Sequence, residues 1–373
     1  MRIALFSDTF EKGYGGVTVY VRDLVKYLRK QKHDVKVFVW ESKNLTTRER
    51  EICATFPAIN IIKTIKGKAG LCPLRLISEM RKFNPDVIHN HSMFTMGLHA
   101  ILAAKKLKIP LVNHYHTYLE EYLNHLPNIL RTNEKIAIRV VQKNTKFFLK
   151  SSSLVITPSQ AMKKYLEKIG VRKKIKVVPF GIDLKKFRAT EKRHRKFTVL
   201  HVGRLTKEKN VCDIIAPFAE FAKRKNVVLK IVGEGCEQEN LKNLIKRLKL
   251  VGKVEFLNWV SRSKLPKIYN SADIFITLSK SETFGIVILE AMACGLPIIG
   301  SKATAIPELV TDKKNGFLVN KNNKKYMVEK LNELFYDKNL RKKMTANSLL
   351  SAQKYEENKV FRKLEKIYRE VIS

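Results

Sequence analysis

Residues 272–300 read ADIFITLSKSETFGIVILEAMACGLPIIG. The apolar, β-branched run ADIFITLS predicts a strand and KSE the loop after it. TFGIVILEAMA predicts a helix with Gly285 in its first turn, and LPIIG predicts the next strand. Strand, helix and strand in that order make a parallel βαβ unit, covered on both faces of its sheet. The first helical turn exposes unpaired backbone N–H groups, which make an anion site. Two carboxylates stand around it: Glu282 just outside, and Glu290 about a turn and a half into the helix. Helical phase puts Ile286 beside Glu290, with Met292 and Ala293 close by, so this acid is expected against an apolar surface. A carboxylate so placed suits a pair of sugar hydroxyls. An ordinary buried helix with one acid at its rim is the alternative.

The same alternation runs outward in both directions. RIALFS, HDVKVFVW, NIIKTI, PDVIHNH, PLVNHYH, SLVITPS and KIKVVPF read as buried strands, with amphipathic segments between several of them. After Phe180 the pattern pauses over the charged segment 181–196, then restarts with FTVLHVGR, VVLKIVGEG, KVEFLNWV, ADIFITLS, LPIIGSK and GFLV. Three helical patterns close the chain. The fold class is therefore α/β, with two Rossmann-like domains facing each other across a cleft. The expected domains are 1–185 and 196–354, and a length of 373 residues with 45% apolar content suits two cores. Open sheets of this kind bind ligands beyond the carboxyl ends of their strands.

Composition excludes some classes. No run of 18 apolar residues and no apolar region behind Met1 is present, so neither a spanning segment nor a secretion signal is expected, and the chain reads as cytoplasmic. Five scattered cysteines without a C-x-x-C pair read as reduced thiols. Lys and Arg number 73 against 34 Asp and Glu, a net charge of +39. Such a field favours nucleic acid or an anionic membrane, although a solvated lysine-rich surface explains much of it equally well.

Further candidate groups lie after other strands. In FTVLHVGRLTKEKN, Arg204 and Lys209 flank the loop leading to a helix, and a guanidinium fork beside an ammonium suits a diphosphate. EKGYGGVTVYVRDL follows the first strand with Gly13, Gly15 and Gly16. It is not G-x-G-x-x-G, so its glycines serve either a close backbone approach to a ligand or a tight turn. His89 and His91 lie in VIHNHS, His114 and His116 in VNHYHTY. Four imidazoles could bind zinc, but supporting carboxylates are not evident, and one histidine acting on a reacting sugar is the preferred reading. With no D-x-D grip at a strand end, no metal and no cofactor are expected.

Together these pieces resemble the retaining glycosyltransferases of family four, which have the GT-B fold. GGVTVYVRDL, PDVIHNHS, YHTY, LVITPSQAMKKYL, VVPFGIDLKKF, VGRLTKEKN, IVGEG, SADIFITLS, SETFGIVILEAMACGLPII and IPELVTDKKNGFLV fall in that family's order. NHYHTYLEEYLNH is similar to the branch that glycosylates diacylglycerol. The resemblance implies that Glu290 holds ribose hydroxyls of a nucleotide-sugar and that Glu282 contacts the donor sugar. Phe284, Gly285 and Ile286 would bring backbone amides to the diphosphate, which Arg204 and Lys209 neutralise. It further implies that Gly16 approaches the donor, that His116 lies beside the anomeric centre, and that residues 355–373 pack back on the first domain. Val260, in NWVSRSKL, is expected to face the base, and UDP-glucose is the expected donor. Where relatives often carry paired glycines before I-P-E, this chain has SKATAIPE, which puts donor contacts from 303–305 in doubt.

Transfer from a nucleotide-sugar develops negative charge on the departing diphosphate, and fixed cationic and N–H groups lower that barrier without a metal. The two glutamates are then donor-binding groups rather than the acid and nucleophile of a glycosidase. For the acceptor, ILRTNEKIAIRVVQKNTKFFLK spaces Arg131, Lys135, Arg139 and Lys143 four apart, with Lys146 and Lys150 beyond and Ile136, Val140 and Phe147 alongside. A basic amphipathic helix of this kind can lie on anionic lipid. LCPLRLISEMRKF, flanked by Lys66, Lys68, Arg81 and Lys82, is a second candidate. The expected acceptor is the 3-hydroxyl of 1,2-diacylglycerol, met by an enzyme peripherally bound to the inner face of the cell membrane. A soluble or polyprenyl-linked acceptor is the alternative. A nucleic-acid-binding protein is not expected, because few aromatics interleave the basic runs.

Overall fold

The computed structural model describes residues 1–11, 15–62, 67–120, 134–191, 196–320 and 323–373. Arg131, Lys66 and Gly13 therefore lie outside the described residues, as does the end of NHYHTYLEEYLNH. The chain divides into two compact units: Met1–Pro179 with Val360–Ser373, and Phe180–Lys359. The first division precedes the segment expected as a linker, which stays with the second unit.

In the first unit, strands β1 (Arg2–Ser7), β2 (Asp34–Trp40) and β3 (Cys53–Phe56) are followed by the antiparallel pair β4 (Ile59–Ile62) and β5 (Gly67–Ala69). Then come β6 (Val87–Asn90), β7 (Leu111–His114), β8 (Leu154–Thr157) and β9 (Ile175–Val177). Among the described residues, seven of these form a parallel sheet in the order β3-β2-β1-β6-β7-β8-β9. Of NIIKTI, read as one of the parallel strands, the described part lies in β4, which instead pairs antiparallel with β5 outside the main sheet, the rest lying outside the described residues. The edge position beside β2 goes to CATF, whose four residues are too few to carry a periodic signal. The helices are α1 (Gly16–Lys30), α2 (Thr47–Ile52), α3 (Pro73–Phe83), α4 (Thr95–Leu107), α5 (Glu134–Lys150) and α6 (Gln160–Lys168).

The second unit holds β10 (Phe197–Val202), α7 (Cys212–Phe221), β11 (Val227–Val232), α8 (Gln238–Arg247), β12 (Val254–Leu257) and α9 (Leu265–Asn270). It continues with β13 (Ile274–Thr277), α10 (Ile286–Ala293), β14 (Ile298–Ser301), α11 (Ile306–Leu309), β15 (Gly316–Val319), α12 (Lys324–Tyr336) and α13 (Lys338–Gln353). Its sheet is parallel in the order β12-β11-β10-β13-β14-β15. The strand order reverses between β10 and β13, the switch point at which such sheets bind ligands. The predicted βαβ unit is present as β13, α10 and β14, but α10 begins at Ile286. Gly285 caps it with φ +97°, a left-handed conformation that excludes Thr283 and Phe284 from the helix.

The last helix, α14 (Glu357–Ile372), buries Val360, Phe361, Leu364, Ile367 and Tyr368 in the first unit. Burying such side chains contributes about 1.5–3 kcal/mol each before entropy. The Tyr368 hydroxyl lies 2.6 Å from His89 Nδ1, and the Tyr27 hydroxyl donates to Glu365. In the second unit the Ile182 amide donates to the Tyr355 carbonyl and the Glu357 amide to the Ile182 carbonyl. A Cβ on Gly181 would stand 2.7 Å from Glu357 Cα, so glycine permits this approach. Among the described residues no helix is long and apolar enough to cross a membrane.

Candidate active site

In the second unit the loops after β10 and β13 meet at the switch point. Lys209, on the 3-10 turn Lys207–Lys209, donates to Glu282 at 2.6 Å, and both side chains are largely buried, 17% and 12% exposed. The Lys280 amide donates to the Glu208 carbonyl, tying the same two loops by backbone. Arg204 is 58% exposed and rests on Glu208 at 3.3 Å, with its guanidinium still largely in solvent.

Glu290 is 2% exposed on α10. Its two oxygens are held by Arg262 Nε at 3.1 Å and by the Tyr269 hydroxyl at 3.0 Å. Burial, then the Glu290 charge, pushes the Tyr269 phenol well above its usual range, so it remains a donor. Arg262 also lies over the Phe187 ring at 5.4 Å. Neither Arg262 nor Tyr269 stands out in the sequence. Arg262 is one cation in a lysine-rich chain, and Tyr269 reads as a core residue of a short helix. Phe284 is buried, edge-on to Phe180 and Tyr355, so any ligand contact from it must come from backbone. Val260 follows β12 half-buried, beside the Trp259 amide that donates to Glu234.

In the first unit the four histidines converge. His91 Nδ1 and His116 Nε2 are 2.7 Å apart, His114 stacks on His116 at 3.9 Å, and His89 lies 4.0 Å from His91. All four are buried among Tyr20 and α14. Burial first, then neighbouring imidazoles, holds His89, His114 and His116 neutral, and burial lowers His91 to about 3. Nitrogens of His89, His91 and His114 lie within 4.8 Å of one another, a set that could hold a metal ion. Gly16 opens α1, exposed, with Gly15 as its cap.

On α5, Lys135, Arg139, Lys143, Lys146 and Lys150 are exposed, and so are Ile136, Val140 and Phe147, while Thr145, Phe148 and Leu149 face the core. Leu71 and Leu74 at the start of α3 are 86% and 80% exposed. Helix α4, which packs on both α3 and α5, adds half-exposed Phe94, Leu98 and Leu102, which sequence reading missed. Lys68 does not belong to this surface. Its ammonium is drawn in to Glu11 at 3.1 Å and to the Glu41 carbonyl.

Two family profiles match the chain in tandem, "Glycosyltransferase Family 4" over residues 14–186 and "Glycosyl transferases group 1" over residues 183–349. The chain belongs to the GT-B glycosyltransferases. This glycosyltransferase is 29% identical over 334 residues to an alpha-monoglucosyldiacylglycerol synthase of Streptococcus pneumoniae, covering 85% of this chain and 75% of that one. It is 27% identical to the alpha-monoglucosyldiacylglycerol synthase of Acholeplasma laidlawii, over 100% of this chain and 98% of the relative. Its fold matches that of Anabaena HepE, solved in complex with UDP, with a TM-score of 0.80 at 22% identity, over 99% of this chain and 100% of that one.

Proposed function

We propose that this glycosyltransferase moves glucose from UDP-glucose to the 3-hydroxyl of 1,2-diacylglycerol, with retention of configuration and without a metal or cofactor. The observation that carries the donor reading is the Lys209–Glu282 contact at the switch point, with Glu290 buried nearby in the same unit. In the structure the ammonium and the carboxylate satisfy each other. A bound nucleotide-sugar exchanges that contact for two others, Glu282 to sugar hydroxyls and Lys209 to the diphosphate. Glu290, oriented by Arg262 and Tyr269, takes the ribose hydroxyls. As the glycosidic bond to the diphosphate breaks, charge grows on the leaving oxygen. Lys209, Arg204 and the backbone N–H groups of Gly285 and Ile286 meet that charge, which lowers the barrier. His116 acts as a neutral imidazole at the reacting sugar.

The lipid acceptor is supported by the two named synthases and by the basic, partly apolar exposed face of α5. We place the enzyme at the inner face of the cell membrane, held by anionic lipid, with each surface-near cation adding on the order of 1 kcal/mol. The test is a donor panel with radiolabelled sugar and diacylglycerol vesicles, read by chromatography of the lipid phase. Label in a diacylglycerol product with UDP-glucose supports the proposal. Label only in a soluble or polyprenyl-linked product refutes the acceptor, and label only from another donor refutes the donor.

A further inference from the structure

The geometry points to Thr304 as a positioning residue for the donor sugar, acting through the backbone of Glu282. Thr304 lies in the loop between β14 and α11 and adopts φ +45°, the left-handed region that a β-branched residue enters only under strain. A glycine there would be unstrained. Thr304 is exposed, so no core packing compensates for its conformation. What compensates is a set of hydrogen bonds. The Glu282 amide donates to Thr304 Oγ1 at 2.8 Å, and the next amide, Ala305, donates to the Glu282 carbonyl at 3.3 Å. Both backbone polar groups of Glu282 are thus held by one dipeptide. Ser301 Oγ donates to the Ser279 carbonyl at 2.5 Å, lacing the same two loops one step earlier.

The consequence concerns the 303–305 contacts that the SKATAIPE sequence put in doubt. Here the loop carries a hydroxyl that grips the neighbouring loop, and the strain is retained because that grip sets the direction of the Glu282 side chain. Glu282 so directed reaches Lys209 in the structure, and is set to reach the hydroxyls of a bound sugar. The inference rests on the donor reading above, in which Glu282 contacts the sugar while Glu290, Arg204 and Lys209 serve the nucleotide.

The experiment compares the full-length wild type with Thr304→Val, Thr304→Ser and Thr304→Gly. Binding of UDP and of UDP-glucose is measured by calorimetry, together with steady-state kinetics and thermal melting. Valine keeps shape and β-branching but loses the acceptor oxygen. We expect Thr304→Val to weaken UDP-glucose binding and lower kcat/KM by about tenfold while UDP affinity stays within about twofold, and Thr304→Ser to restore both. Thr304→Gly should melt no lower than wild type yet show the same loss for UDP-glucose. Equal losses for UDP and UDP-glucose, or wild-type values for Thr304→Val, overturn the inference. If wild-type protein binds neither compound, the donor reading itself has failed, an outcome separate from any effect of the variants.

Discussion

Arg262 and Tyr269 grip opposite oxygens of the Glu290 carboxylate, at 3.1 and 3.0 Å. A buried acid so held is oriented by its neighbours before any ligand arrives. Glu290→Gln should therefore lower kcat/KM for the nucleotide-sugar by about 10- to 100-fold, the worth of hydrogen bonds to a charged group. Arg204→Ala, at an exposed site, should abolish donor use outright, without loss of thermal stability. Vesicle binding should persist in both, and unchanged transfer rates in both would refute the site.

His116→Ala should slow transfer more than it weakens donor binding, because the imidazole is assigned to the reacting sugar rather than to the nucleotide. Single-turnover rates and donor titrations separate the two. An equal loss of both contradicts the role.

The histidine cluster makes the first unit acid-sensitive. A buried imidazole with its folded pKa lowered takes up a proton more readily when unfolded, so its stabilising effect is present above about 6.5 and is lost as pH falls below that value. For His91, lowered to about 3, the loss at pH 5.5 is about 1.4 kcal/mol. Thermal melting should fall between pH 7.5 and 5.5, and His91→Asn should flatten that slope. A slope unchanged in the variant would show that His91 is not the group responsible.

Replacing Lys135, Arg139 and Lys143 together by glutamate should reduce sedimentation with anionic vesicles by about 100-fold or more, at about 1 kcal/mol per lost cation. Binding of UDP-glucose, measured without lipid, should not change. Selective retention of RNA by the wild type with no binding to vesicles would favour a nucleic-acid partner instead.

What the sequence by itself determined is local. Runs of β-branched residues alternating with amphipathic segments announce parallel sheets, and the spacing of Glu282 and Glu290 around Gly285 marks a helix start with an acid on either side. These follow because periodicity and turn chemistry depend on residues a few positions apart. Only the tertiary structure decided that β10 lies beside β13, which brings Lys209 to Glu282 across 73 positions. The same holds for the pairing of Arg262 and Tyr269 with Glu290, for the gathering of four histidines from two strand ends, and for the displacement of NIIKTI by CATF at a sheet edge. Strand order and side-chain direction are set by which distant segments pack together. No short window of residues carries that information.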